Sequence, residues 1–495
     1  MLFNSVTYLV FLTVAVLVFW ALPMAARRFW LLAASLLFYC WWDWRYGFLI
    51  ASSILLNYLF GLLAADRSRK WTVVVAVAAN LGALIYFKYL DFLAGSLNGL
   101  SQLIFDRDLA AVPHIVLPIG ISFFTFQGLS YVIDIARGQI EARRSLVTVA
   151  LYITFWPHLI AGPIVRAGEL IPQFYSDSRR VRYSDIASGL QLIFVGLFLK
   201  VFLADGISGY VDEGFAAGSF QRNSALDNWT LAFGFGWQIY FDFAGYSMIA
   251  QGSARLLGIV FPDNFNFPYA ARSPREFWQR WHITLSSWIR DYLYVPMQGL
   301  IAGQSRSRGG IEIAVDERMK SNARHRIGAL IATWMIMGLW HGANWTFLAW
   351  GVWHAGLILI YRGLSLMSDR IGIRERINAD GLLFSLGGCL ITMPAAMVGW
   401  LFFRAPTLEQ AFSMVARLLD VRAYGYLTYK ENFYLITFLY TVGFFVAYAS
   451  GRMIERKPVW WGTWGWLPKS IAYTAIVMLS LGFLRSQQQF IYFQF

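Results

Sequence analysis

The sequence predicts an all-α polytopic membrane protein, and three observations predict it: an apolar excess, a heavy aromatic load and the spacing of its apolar runs. Hydrophobic residues make up 58% of the 495 positions and charged residues 14%, against roughly 25% charged in ordinary soluble domains. The 22 Trp, 25 Tyr and 41 Phe carry more aromatic area than one core buries, so much of it meets lipid or the membrane interface. This composition excludes a soluble enzyme and a disordered scaffold. It also argues for no nucleic acid as partner, although the net charge of +13 taken alone would fit one.

A hydrocarbon layer about 30 Å thick needs roughly 20 apolar residues of helix. Runs near that length lie at 5–22, 29–42, 46–64, 71–93, 115–134, 187–205, 229–250, 327–341, 345–361, 382–403, 432–450 and 471–484. They give about 11 or 12 crossings. No basic stretch precedes the run at 5–22, and Arg27 and Arg28 follow it, so it is expected to be a retained first span rather than a signal peptide. The run at 146–165 holds Pro157, Gly162 and Pro163. Proline removes a backbone donor and breaks a helix, so this piece is expected to be re-entrant.

Lys and Arg collect in alternate loops: those loops hold 30 of the 41 basic residues, 11 of them between Arg255 and Arg326. Short basic loops stay in the cytoplasm. The asymmetry therefore places both termini outside the cytoplasm, and it requires that 146–165 not cross. The two halves do not echo each other as they do in many secondary transporters. Cys40 and Cys389 each lie in an apolar run, which leaves no disulfide framework and no thiolate metal site. There is no Gly-rich phosphate loop and no His-Glu-x-x-His pattern; the expected metal content is none.

Ionisable groups at membrane depth are costly and are functional candidates by default. Among six histidines, His114 and His325 sit near loops and attract no role. His158, in the broken 146–165 segment, is as well placed to satisfy free backbone carbonyls as to touch a substrate. His354 lies 13 residues after His341, about 220° around a continuous helix, and is read as structural. His341 ends one apolar run just before the next begins, in Gly338-Leu339-Trp340-His341-Gly342-Ala343-Asn344-Trp345. The glycines allow close approach, and a neutral imidazole can take and return a proton. On position alone, catalysis and packing in a helix turn stand equal.

His282 lies in Phe277-Trp278-Gln279-Arg280-Trp281-His282-Ile283-Thr284-Leu285-Ser286-Ser287-Trp288-Ile289-Arg290-Asp291-Tyr292. If helical, this segment puts Trp278, Trp281, His282 and Trp288 mostly on one side. It reads either as an interfacial helix or as a donor pocket, in which Arg280 and Arg290 hold phosphate and Trp281 stacks on a base.

Four motifs together carry a resemblance: Trp340-His341-Gly342-Ala343-Asn344-Trp345; Arg280-Trp281-His282-Ile283-Thr284-Leu285-Ser286 with Arg290-Asp291-Tyr292; Pro157-His158-Leu159-Ile160-Ala161-Gly162-Pro163; and Tyr240-Phe241-Asp242-Phe243-Ala244-Gly245-Tyr246-Ser247. From about residue 118 onward the chain resembles the membrane-bound O-acyltransferase superfamily, in its bacterial alginate O-acetyltransferase branch. The resemblance implies a single membrane domain around a central tunnel: N-terminal helices at 1–134, a core at 135–361 with re-entrant and interfacial helices, C-terminal helices at 362–484 and an extracytoplasmic aromatic tail at 485–495. It implies a bacterial cytoplasmic (inner) membrane location and acetyl-CoA, or a carrier-protein thioester, as acyl donor. Its implied partners are a polysaccharide acceptor, an extracytoplasmic acetyltransferase partner protein and membrane lipid. His341 matches the essential histidine and His282 a second, more variable one. Tyr492, in the terminal Phe490-Ile491-Tyr492-Phe493-Gln494-Phe495, matches a tyrosine that accepts the acyl group transiently. Met248 departs from the pattern, since relatives usually carry Asp there. The competing readings are a lysolipid or protein O-acyltransferase of the same superfamily, and a transporter or flippase of an acyl donor.

Overall fold

The computed structural model describes residues 1–66, 68, 70–108, 115–176, 182–298, 323–371, 381–456, 466–483 and 491. Among them there are helices and no strand. Each of the twelve apolar runs overlaps a helix, the run at 115–134 from Ile121 onward. Among the described residues six helices are long and apolar enough to cross a membrane: Tyr46–Ala64, Trp71–Phe105, Tyr183–Gly214, Trp345–Arg370, Leu383–Arg404 and Glu431–Gly451; Val6–Ala21 and Ile121–Ala136 are shorter apolar helices. Large apolar side chains face outward on them, among them Phe48 at 70% exposure and Ile391 at 75%. Lipid rather than water suits such a surface.

Local chemistry sets the helix ends. Ser5, Ser145, Ser273, Asn344 and Thr407 each accept a backbone N–H of the first turn through the side chain, which satisfies an otherwise orphaned donor. Gly120, at φ 79°, starts the helix Ile121–Ala136. A Cβ there would sit 2.8 Å from the Leu159 carbonyl oxygen.

The chain forms two compact units. One comprises Met1–Gly196 with Tyr246–Pro262, the other Leu197–Gly245 with Asp263–Phe495; the long helix Ala225–Leu256 contributes to both. In the first unit, helices Tyr46–Ala64 and Lys70–Leu84 are tied by reciprocal amide bonds between Asn57 and Asn80, at 3.2 and 3.0 Å. Such bonds suit helices that gain no hydrophobic drive from lipid. Tyr183–Leu197 and Ala225–Leu256 cross at Gly189 and Gly252, where a Cβ on Gly252 would lie 2.5 Å from the Gly189 carbonyl oxygen. The 146–165 segment is a nine-residue helix Leu146–Thr154, a break at Phe155 and a four-residue helix Trp156–Leu159. Neither piece reaches the length a crossing needs.

The second unit contains the antiparallel hairpin of Ala323–His341 and Trp345–Arg370. Their backbones nearly touch. A Cβ on Gly338 would lie 2.2 Å from the Phe347 carbonyl oxygen, and one on Gly351 would lie 2.2 Å from that of Trp334. These two pairings run in opposite directions along the chain, which fixes the hairpin register.

Candidate active site

His341 is the last residue of its helix. Gly342 and Ala343 carry the chain around, and Asn344 caps the next helix through Thr346 N–H at 3.1 Å while its own amide donates to the Pro406 carbonyl at 3.2 Å. Gly342 leaves room for the Phe347 ring, from which a Cβ there would lie 2.0 Å. The imidazole is 3% exposed. It is walled by Trp340, Trp350 and Phe403, with ring centroids at 4.9, 5.0 and 5.3 Å.

His354 lies on the following helix rather than on a continuation of the helix that carries His341. The two rings nevertheless share a neighbour, since His354 is also 5.0 Å from Trp350. The Trp278 indole N–H donates to His354 Nδ1 at 3.3 Å. An indole only donates, so the neutral imidazole of His354 carries its proton on Nε2. Aromatic contact continues from Trp350 to Trp400 at 6.1 Å and from Trp400 to Trp281 at 4.8 Å. A packed aromatic path thus runs from His341 to the neighbour of His282.

His282 corrects one expectation. The segment 277–292 is not a single helix: Pro274–Arg280 ends, Trp281 is extended and His282 sits in the left-handed region at φ 40° before Ile283–Ile289 begins. The physical reason is backbone pairing with an upstream strip. Asn266 N–H bonds to Arg280 O and Ile283 N–H to Asn264 O, each at 2.9 Å, and those bonds replace the helical ones. The strained position is held by Asn264, whose Oδ1 accepts from His282 Nδ1 at 2.9 Å, from the Thr284 hydroxyl at 2.8 Å and from Thr284 N–H at 3.3 Å. His282 therefore donates from Nδ1 and presents Nε2 as a bare lone pair. That nitrogen is buried with no hydrogen-bond partner among the described residues. Burial lowers the pKa to about 3, which keeps the ring neutral.

The expected donor-pocket residues are engaged within the protein. Arg280 donates to Glu276 Oε1 through Nε at 3.1 Å and Nη2 at 2.7 Å, and Arg272 takes Oε2. Burial opposes the charge on Glu276, yet the Arg272 N–H and the Arg280 guanidinium outweigh it and hold the carboxyl below its ordinary range. Arg290 pairs with Asp291 at 2.7 Å. Trp281 is 1% exposed and packs on Phe265, Phe277, Tyr269, Tyr240 and Trp400. A phosphate approaching Arg280 would compete with Glu276.

His158 belongs to the first unit. Its Nε2 lies 3.0 Å from the Tyr152 carbonyl and its ring stacks on Phe261 at 5.6 Å. His114 and Tyr492 lie outside the described residues. Among the described residues no group of three His, Cys, Asp or Glu could hold a metal ion.

Sequence reasoning overlooked Asn264, Trp350 and the pairing of Lys200 with Asp205 and Asp242. Lys200 and Asp242 carried a local signal, each a charge inside an apolar run.

The family model of membrane-bound O-acyltransferases matches residues 116–311. The chain is 36% identical over 427 residues to the probable alginate O-acetylase of Azotobacter vinelandii, covering 85% of this chain and 78% of that protein. It is 32% identical to the peptidoglycan O-acetyltransferase of Helicobacter pylori, covering 85% and 80%. A more distant relative, the teichoic acid D-alanyltransferase of Bacillus subtilis, is 28% identical over 50% of this chain and 60% of that protein. The chain belongs to the membrane-bound O-acyltransferase family and is an O-acyltransferase.

Proposed function

We propose that this enzyme moves an acetyl group from a cytosolic thioester, acetyl-CoA, across the bacterial cytoplasmic membrane for O-acetylation of a cell-envelope polysaccharide. The observation that carries this reading is the 36% identity to an alginate O-acetylase over 85% of the chain, joined by that to a peptidoglycan O-acetyltransferase. Both names describe acetyl transfer to hydroxyls of glycan polymers. With both termini outside, the basic loops face the thioester and the tail faces the polymer.

In this mechanism His341 is the general base. It removes the proton of an attacking hydroxyl as the oxygen adds to the thioester carbonyl, and the C–S bond then breaks to release the thiol. The first acceptor is Tyr492, since a phenol ordinarily titrates near pH 10, far below an alkyl alcohol. The resulting phenyl ester is activated enough to pass its acetyl group to an extracytoplasmic acetyltransferase partner, and from there to the sugar. Within this reading the bare Nε2 of His282 is a second proton acceptor, and Arg280 and Arg290 are the cations nearest the donor.

Purified enzyme in nanodiscs, given radiolabelled acetyl-CoA, tests the reading. Label on Tyr492 that is lost in Tyr492→Phe supports it. No label and no free thiol from acetyl-CoA, with transfer only from an acylated carrier protein, would replace the donor; no transfer from either would overturn the reading.

A further inference from the structure

Lys200 lies within the apolar helix Tyr183–Gly214 and its side chain is almost wholly buried. A buried cation persists at such a place only when it is paired. Nζ lies 2.7 Å from Asp205 Oδ1 and 2.8 Å from Asp242 Oδ1. On an α-helix, residues five apart point about 140° away from each other. The stretch Phe198–Ala204 is instead a π-helix, whose wider turn links i to i+5 and brings Lys200 and Asp205 onto one face.

Asp242 stands on a different helix, Ala225–Leu256, inside the Tyr240-Phe241-Asp242-Phe243 motif. Its Oδ1 is taken by Lys200. Its Oδ2 accepts the backbone N–H of Ile491 at 2.8 Å, a contact across 249 positions of sequence. Ile491 is 4% exposed. A carboxylate accepting an N–H makes a strong, charge-assisted bond, and once buried that oxygen is costly to leave without its donor. Two carboxylates facing one ammonium favour a further donor at this spot, and the tail supplies one from its backbone.

We propose that Asp242, held in place by Lys200 and Asp205, is the docking point of the C-terminal tail and fixes where the chain leads into Tyr492. Asp242 is then a positioning residue, acting through the tail. Its effect on acyl transfer rests on the relay reading of Tyr492; the dock itself does not.

The contact uses the N–H of residue 491, so a new side chain there reports on it without removing it. In full-length protein with Cys40→Ala and Cys389→Ala, the added Ile491→Cys is expected to react slowly with N-ethylmaleimide. Asp242→Leu leaves Lys200 and Asp205 matched one to one and removes the acceptor; labelling should then quicken at least tenfold. Asp242→Asn, which keeps an acceptor oxygen, should fall between, and Tyr492→Phe should label as slowly as the parent. Equal rates in Asp242→Leu and the parent would overturn the dock. If Asp242→Leu does not purify as a monodisperse protein, Asp242→Asn decides: labelling faster than in the parent supports the dock, and an equal rate overturns it. Transfer to acceptor should drop at least tenfold in Asp242→Leu with the tail released. A released tail with undiminished transfer overturns the positioning role, whereas undiminished transfer in Tyr492→Phe with the tail still docked defeats the relay alone.

Discussion

Nδ1 of His282 lies 2.9 Å from Oδ1 of Asn264, a bond that fixes the imidazole tautomer and leaves the other ring nitrogen bare. Stability should follow the protonation of this ring. Its folded pKa, about 3, lies below the unfolded value of about 6.5. Between these values the unfolded chain binds the extra proton, so stability rises with pH through the window and is full above it. The slope contributed by this ring approaches about 1.4 kcal/mol per pH unit. Unfolding midpoints followed from pH 7 down to pH 4 should fall, and should fall less steeply in His282→Gln. A parallel decline in both proteins would refute the assignment.

Asn264 joins His282 and Thr284 through three donors. Asn264→Ala strands them, and a buried unsatisfied donor costs about 1–3 kcal/mol. Thermal unfolding in detergent should show a clear loss of stability, larger than that of Asn264→Asp, which retains acceptor oxygens.

The hairpin that carries His341 depends on glycine at its crossing. In Gly351→Ala the new methyl meets the Trp334 carbonyl at 2.2 Å, and backbone cannot yield as a side chain tip can. Overpacking of this kind costs typically about 1–3 kcal/mol. Activity should fall as well, since the two helices separate where His341 and Trp350 face each other. Gly356→Ala, where a Cβ meets nothing within 4 Å, is the matched control and should behave as wild type.

Capping gives an independent check of the turn after His341. Asn344→Ala removes the Thr346 cap and the tie to Pro406; losing a cap costs about 0.5–2 kcal/mol. Asn344→Ser, which keeps the cap acceptor, should recover most of the loss in a melting experiment.

The helices were legible because a span is a compositional signal over some 20 residues, and all twelve apolar runs overlap helices. The break within 146–165 was legible because proline states it locally. The turn at His282 was not: its helical pattern is overruled by hydrogen bonds from the strip at 264–266, which no local periodicity announces. Nor was the Lys200, Asp205 and Asp242 trio, since a bond between residues 200 and 242 leaves no trace in spacing. Arg280 shows a different gap. Its partner Glu276 stands one helical turn away, a spacing visible in the sequence.

The most direct measurement is single-turnover acetyl transfer by purified His341→Ala from labelled acetyl-CoA, beside wild type of equal monodispersity and similar unfolding midpoint. Loss of a general base should slow transfer by about 10² to 10⁴. A variant that transfers acetyl within a few-fold of wild type would contradict the account.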